Sequence, residues 1–338
     1  PPTGHKSLCT QNLSDPTIED PSTAFDVKVW SGNSTARDIT GYGFSPDLVW
    51  GKSRSHTNSH WLMDIVRDAG NRLISNDTRA EDTPSGVLTS FNSDGFSLGT
   101  NDEANESGRT YVGWAWDAGT STATNNTAGS ITPTGVRANQ SAGFSIVKWD
   151  ATSSAETVGH GLNAAPEFIL MKTINTTGPW LIYHKDVGAS KYMDFTNVAP
   201  TTNNLVYTTA PTSSVFSPGN GIVNTSIYDE MIAYCFAPVA GYSAFGTALG
   251  TGSSDGGFVY TGFRPRFLLW RNADANGNWG IIDAERDRPD NIAGELLFAN
   301  LSNAEFAFRE FDFLSNGIKL RYSYTSGHRL VFMAFAEN

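Results

Sequence analysis

The sequence predicts an all-β fold made of three tandem, related β-sandwich-like modules of about 100 residues each, a common size for a small domain. Three observations carry this. One layout of motifs occurs three times along the chain. Each copy holds an Asp-Gly or Asn-Gly turn, which supplies the positive φ that a tight hairpin needs. The apolar runs are short and bounded by Gly and Pro, which favours strands over helices.

Residues 1–24, with Pro16 and Pro21, read as a polar entry arm continuing from an upstream domain, in keeping with a chain that starts Pro1-Pro2. Module one, residues 25–119, opens with Phe25-Asp-Val-Lys-Val-Trp30 and passes through Gly41-Tyr-Gly-Phe-Ser-Pro46 into Asp47-Leu-Val-Trp-Gly-Lys52. Residues 120–142, rich in Thr, Ser, Asn, Ala and Gly, read as a linker. Module two, residues 143–241, repeats the layout with Phe144-Ser-Ile-Val-Lys-Trp149, Gly161-Leu-Asn-Ala-Ala-Pro166 and Glu167-Phe-Ile-Leu-Met-Lys172. Module three, residues 242–338, has Phe258-Val-Tyr260, Gly262-Phe-Arg-Pro265 and Arg266-Phe-Leu-Leu-Trp-Arg271. Aligned on Pro46, Pro166 and Pro265, Trp180 falls on Trp279, and module one has His60 at that position. The turns Asp94-Gly95, Asn220-Gly221 and Asn316-Gly317 follow, and aromatic strands at 111–116, 231–237 and 330–336 close the modules.

Proline has no backbone donor, so Pro46, Pro166 and Pro265 suit the first residue of a strand. Each run after them is apolar between polar ends, Asp47, Glu167 and Arg266 on one side and Lys52, Lys172 and Arg271 on the other. That pattern predicts a strand buried on both faces with solvated ends. The best helical candidate, Trp61-Leu-Met-Asp-Ile-Val-Arg67, is too short to stand alone and reads as a strand running into a loop.

Composition excludes several function classes. The formal charge of −11, from 23 basic and 34 acidic residues with no basic run, repels phosphate backbones and argues against nucleic-acid binding. No apolar run reaches the roughly 18 residues of a membrane-spanning helix, so no membrane insertion is expected. Cys9 and Cys235 cannot build a disulfide framework, and Cys235 reads as a buried thiol.

Asp64 and Asp283, each followed by an Arg-Asp pair at 67–68 and 286–287, occupy the same position in modules one and three, where module two has His184. Repetition makes these a feature of the fold, an Arg–carboxylate pair pinning a loop, so no catalytic residue is assigned. The six histidines are scattered without zinc-ligand spacing. Asp274-Ala-Asn276-Gly-Asn278 places side-chain oxygens at alternate positions, as the start of a calcium loop does, although a polar turn uses the same residues. Trp114, Trp116, Trp180 and Trp279 fall in repeated columns and read as core. Trp270 aligns with Met171 and Gly51, so the fold does not fix its size, and it is the first candidate for an exposed ligand contact, followed by Tyr42, Tyr242 and Trp30.

The strings Gly43-Phe-Ser-Pro-Asp-Leu-Val-Trp50, Ser90-Phe-Asn-Ser-Asp-Gly-Phe-Ser-Leu-Gly99, Tyr111-Val-Gly-Trp-Ala-Trp116, Thr157-Val-Gly-His-Gly-Leu162 and Tyr260-Thr-Gly-Phe-Arg-Pro-Arg-Phe267 resemble a repeat-containing domain of marine tailed bacteriophages. That domain occurs in tail-fibre-like and other virion proteins, particularly of cyanophage type, and the resemblance runs from Phe25 onward. The opening residues 1–13 resemble the end of a lectin-like β-sandwich similar to SPRY domains. The resemblance implies a non-enzymatic structural protein of the virion, part of a tail or host-recognition fibre that contacts other virion proteins and presents loops to a host surface glycan or receptor. It brings no catalytic pattern and no cofactor beyond the calcium suggested by Asp274. A capsid-decorating protein is the alternative within virions, and a polysaccharide depolymerase, which needs a carboxylate pair in a groove, is the alternative from another class.

Two assemblies answer the need to bury sheet edges. A homotrimer does so between chains. A pseudo-threefold body built by the three internal copies does so within one chain. The polar entry arm, suited to an upstream shaft, favours the homotrimer.

Overall fold

The computed structural model describes residues 17–120, 126–152, 154–196, 198–203, 206–220, 229–286 and 292–337. Strands take up 45% of the chain and helix 2%, so the all-β expectation holds. The helical pieces are a 3-10 turn at Pro21–Thr23 and one α-turn at Asp102–Asn105. Asn101 caps the latter by accepting from the Glu103 N–H.

Three large antiparallel sheets organise the molecule. The first has the strand order Phe25–Ser31, Thr110–Trp116, Leu48–Ser53, Trp61–Asp64. In the second the order is Gly135–Asn139, Phe144–Ala151, Asp229–Phe236, Phe168–Thr173, Leu181–His184. The third begins Ser243–Leu249, Arg329–Ala336, Pro265–Asn272, Gly280–Asp283 and continues through Ile292–Phe298, Phe306–Leu314 and Gly317–Leu320 to Phe258–Tyr260. Two further three-stranded sheets stand apart, Arg37–Thr40, Gly95–Leu98, Leu88–Asn92 and Val158–Gly159, Val215–Pro218, Tyr207–Thr209.

The runs after the prolines are strands buried on both faces, and side-chain alternation divides them between two cores. Leu48 and Trp50, Phe168 and Leu170, and Phe267 and Leu269 all enter one core to which the three large sheets contribute. Their neighbours Val49, Ile169 with Met171, and Leu268 with Trp270 point the other way, into three separate outer cores. Aromatic rings from the three sheets meet in the shared core: Trp116 lies 6.1 Å from Phe236 and 5.9 Å from Phe267, and Phe25 stacks on Phe335 at 4.8 Å.

Three expectations change. The strand beside the closing strand of the third sheet is Ser243–Leu249, whereas Phe258–Tyr260 pairs with Gly317–Leu320 at the far edge. The apolar run at Phe258–Tyr260 carries no information about partner choice, and the smaller residues around Gly246 fit beneath the Phe332 ring, which a Cβ there would approach to 3.2 Å. The residues read as a linker at 120–142 include the edge strand Gly135–Asn139, in which Val136 is the one fully buried side chain; residues 121–125 lie outside the described residues. The polar strand ends are also not solvated. Asp47, Lys52, Lys172 and Arg271 are buried.

Candidate functional site

The repeated charged positions are structural. Arg67 bonds Asp64 at 2.6 Å and Glu81 at 2.6 Å, with both ends of the Arg67–Asp64 pair buried. Tyr234, from the second large sheet, donates its hydroxyl to Asp64 at 2.7 Å. Arg286 repeats the pattern with Asp283 at 2.6 Å and Glu305 at 2.8 Å, and here Trp114 from the first sheet donates its indole N–H to Asp283 at 2.9 Å. His184 stands at the same position in the second sheet. Its Nδ1 accepts from the Asp186 N–H and its Nε2 faces the Phe332 carbonyl of the third sheet at 3.2 Å. Burial pulls this imidazole down to about 4, so it is neutral. Each position therefore ties one sheet to the closing strand of another; the companion residue Asp287 lies outside the described residues.

Lys52, Lys172 and Arg271 form a second repeated set. Lys172 donates to the carbonyls of Thr78 at 3.2 Å and Gly178 at 2.7 Å. Arg271 donates to Val198 at 2.5 Å and Asp194 at 3.4 Å, and Lys52 to Ser53 at 2.6 Å. Burial pushes Lys52 down to about 7 and Lys172 down to about 8. Backbone carbonyls satisfy these cations, and they reach no solvent.

The four aromatic residues expected to contact ligand lie in the interior. Tyr42 donates to the Gly113 carbonyl at 3.1 Å, Trp30 donates to the Ala104 carbonyl at 2.9 Å, and Tyr242 packs 5.6 Å from Phe335. Trp270 is also buried, and its variable size has a different cause from exposure. It pairs across the strands with Gly280, while Gly51 pairs with Trp61 and Met171 with Leu181. Large opposes none, medium opposes medium, and the volume of the pair is kept. Trp114, Trp116, Trp180, Trp279 and Cys235 are core residues, as the sequence predicts.

The oxygen-rich loop is tied to its surroundings. Asp274 forms a bidentate pair with Arg329, closest contact 2.6 Å, which holds its carboxyl below the usual range. Asn276 Oδ1 accepts from the Ala199 N–H at 2.9 Å, and Asn278 Oδ1 accepts from Asn300 Nδ2 at 2.9 Å. Each of the three side chains thus accepts from a donor of the protein itself. Among the described residues, no group of three His, Cys, Asp or Glu side chains is placed to hold a metal ion.

What the loop does form is one wall of a groove of about 400 Å³ whose lining includes Trp270, Asn276, Asn278, Glu310, Tyr322 and His328. Trp270 Nε1 donates to the Tyr324 hydroxyl at 3.0 Å, and that hydroxyl in turn donates to Glu310. Burial pushes the Glu310 carboxyl up to about 7, against the opposing effect of these hydrogen bonds. Tyr322, 43% exposed, sits at the rim, in ring contact with Tyr324 at 4.9 Å and with Phe308 at 5.4 Å. Phe306 and Phe308 extend this aromatic surface outward and are themselves exposed.

Trp270, Asn276 and Asn278 are thus brought together, while Tyr42, Tyr242 and Trp30 lie in other cores and Asp274 faces Arg329. Sequence reasoning missed Glu310, Tyr322, Phe306 and Phe308. The run Phe306-Ala-Phe-Arg-Glu-Phe-Asp-Phe313 carried the signal, since its aromatic phase shifts midway.

No curated protein and no solved structure matches the chain. A family model covers residues 20–338, nearly the whole length, under the description Domain of unknown function (DUF7483). The chain belongs to this DUF7483 family.

Proposed function

We propose that the chain is a non-enzymatic, glycan-recognising body of a virion appendage, a tail or host-recognition fibre, and that the groove beside Tyr322 is its glycan contact. The observation that carries the reading is the pairing in one groove of a half-exposed aromatic rim with polar amide and carboxyl side chains. Sugars need both: an apolar ring face to cover their C–H surface and fixed polar groups for their hydroxyls. The virion setting rests on the sequence resemblance to phage tail-fibre-like domains.

Three β-sandwich-like modules belong to the same reading. Opening strand, closing strand, post-proline strand and its successor recur in that order in each large sheet, and Phe306–Leu314, Gly317–Leu320 and Phe258–Tyr260 echo the two separate three-stranded sheets.

A depolymerase would need a second carboxyl group opposite the first. Glu310 is the one carboxyl among the described residues that line the groove, which favours binding without hydrolysis. Incubation with host surface polysaccharide should release no new reducing ends while the protein co-sediments with it; release of reducing ends would establish the enzyme instead. Immunogold labelling of intact particles tests the setting. Label on the tail supports a fibre, label on the head a capsid-decorating protein, and absence of label from both removes the virion reading.

A further inference from the structure

The groove's polar groups are oriented by contacts behind them, and the orientation has a chemical bias. Asn276 and Asn278 both spend their amide oxygens on internal donors, so each has its Nδ2 as the end that bonds no described residue. Asn272 Oδ1 likewise accepts from the Asp274 N–H at 2.9 Å, which turns its Nδ2 toward His328 Nδ1 at 3.2 Å. The hydrogen-bond network thereby assigns the His328 proton to Nε2. The groove lining thus combines N–H donors from Asn276, Asn278 and His328, the buried carboxyl of Glu310 as an acceptor, and the aromatic carbon of Trp270, Phe298 and Tyr322.

We propose that this groove takes an N-acetylated hexosamine within a glycan, with its acetamido C=O on the Asn276 and Asn278 amides, its acetamido N–H on Glu310, and its ring on Tyr322. This rests on the glycan reading above and narrows it. An acetamido group is the sugar substituent that combines an acceptor, a donor and a methyl, and the groove holds the complement of all three. The methyl would be covered by the Trp270 and Phe298 carbon surface that lines the same groove. A uronate carboxylate offers two acceptor oxygens but neither the donor nor the methyl, so it would leave Glu310 and the Trp270 and Phe298 surface without a complement, and the net charge of −11 on the chain opposes an acidic sugar. The volume, about 400 Å³, lies in the ~300–1,000 Å³ range of small-ligand sites.

The test is saturation-transfer NMR on the full chain with three sets of sugars. The first set is N-acetylglucosamine, N-acetylgalactosamine and N-acetylmannosamine; the second is glucose, galactose and mannose; the third is glucuronate and galacturonate. At least one N-acetylated sugar should bind five-fold or more tightly than its parent hexose, with the strongest saturation on the acetyl methyl. Tyr322→Ala, at an exposed rim position, should reduce binding ten-fold or more. Glu310→Leu, which removes the acceptor, should reduce the preference for the N-acetylated sugar to less than two-fold while the thermal unfolding transition stays cooperative. Equal binding of acetylated and parent sugars, or tighter binding of a uronate, would overturn this inference and leave the glycan reading standing. Absence of binding by every sugar would overturn both.

Discussion

Glu310 is the residue whose surroundings make the sharpest statement about pH. Its carboxyl stands at about 7 in the folded protein against 4.5 in a free chain. Between those values the folded state holds more protons than the unfolded state, so this residue's contribution is full below pH 4.5 and declines as pH rises toward 7. At 1.36 kcal/mol per unit the loss is about 3 kcal/mol. Urea denaturation at pH 4.5 and pH 8 should therefore show a difference between the two pH values that is about 3 kcal/mol smaller in Glu310→Gln than in the unmodified chain; an unchanged difference would mean that Glu310 is not desolvated. The buried pairs at Asp64 and Asp283 make a second prediction. Asp283→Ala leaves Arg286 and the Trp114 indole facing an empty site, so stability should fall by about 3–5 kcal/mol. The double change Asp283→Leu with Arg286→Met should recover part of that, since it removes the guanidinium left with Glu305 alone while the Trp114 N–H stays without its acceptor. A double variant no more stable than the single one would contradict this account.

Among the elements, the strand pair Pro265–Asn272 and Gly280–Asp283 shows why one column tolerates Trp, Met or Gly. A Cβ on Gly280 would lie 2.3 Å from the Trp270 ring, and one on Gly51 2.0 Å from the Trp61 ring. Gly280→Ala should cost about 1–3 kcal/mol through overpacking. In a Trp270→Met background the same change should cost little, giving a coupling energy that a double-mutant cycle reads directly. Additive effects would show that the two positions do not share space. The Phe306–Leu314 strand illustrates a second element-level effect. Its pairing with Ile292–Phe298 slips, three residues between Ala307 and Phe311 standing against one between Ala293 and Glu295. The irregularity spans an even offset and leaves the alternation in phase, so Phe306 and Phe308 at even positions take one face and are exposed, while Phe311 and Phe313 at odd positions take the other and are buried.

For the molecule as a whole, one core shared by three sheets predicts cooperative behaviour. Calorimetry should show a single transition with equal van't Hoff and calorimetric enthalpies, because no sheet can lose the shared rings without exposing those of the other two. Separate transitions for the three sheets would contradict this. The shared core also bears on assembly. It supports the single-chain arrangement, in which the internal copies cover one another, whereas the homotrimer rests on the entry arm, whose residues 1–16 lie outside the described residues. Light scattering decides between them. A mass of 36.5 kDa at concentrations well above micromolar supports the single-chain body, and three times that mass supports the trimer.

By itself the sequence determined the strand class, the post-proline strands with both faces buried, and the repeated Trp and Asp columns as core features. Local chemistry specifies these: turn residues, alternation and the recurrence of a side chain at one place in each copy. Partner choice required the tertiary structure, since the sequence put Phe258–Tyr260 at the opening of module three and only packing gives that place to Ser243–Leu249. The same holds for the burial of Lys52, Lys172 and Arg271, whose carbonyl partners at Ser53, Thr78 and Val198 include loops remote in sequence. The groove is the clearest case. Trp270 with Asn276, Glu310, and Tyr322 converge from three stretches of chain, and a ligand site depends on distances in space that no local sequence pattern encodes.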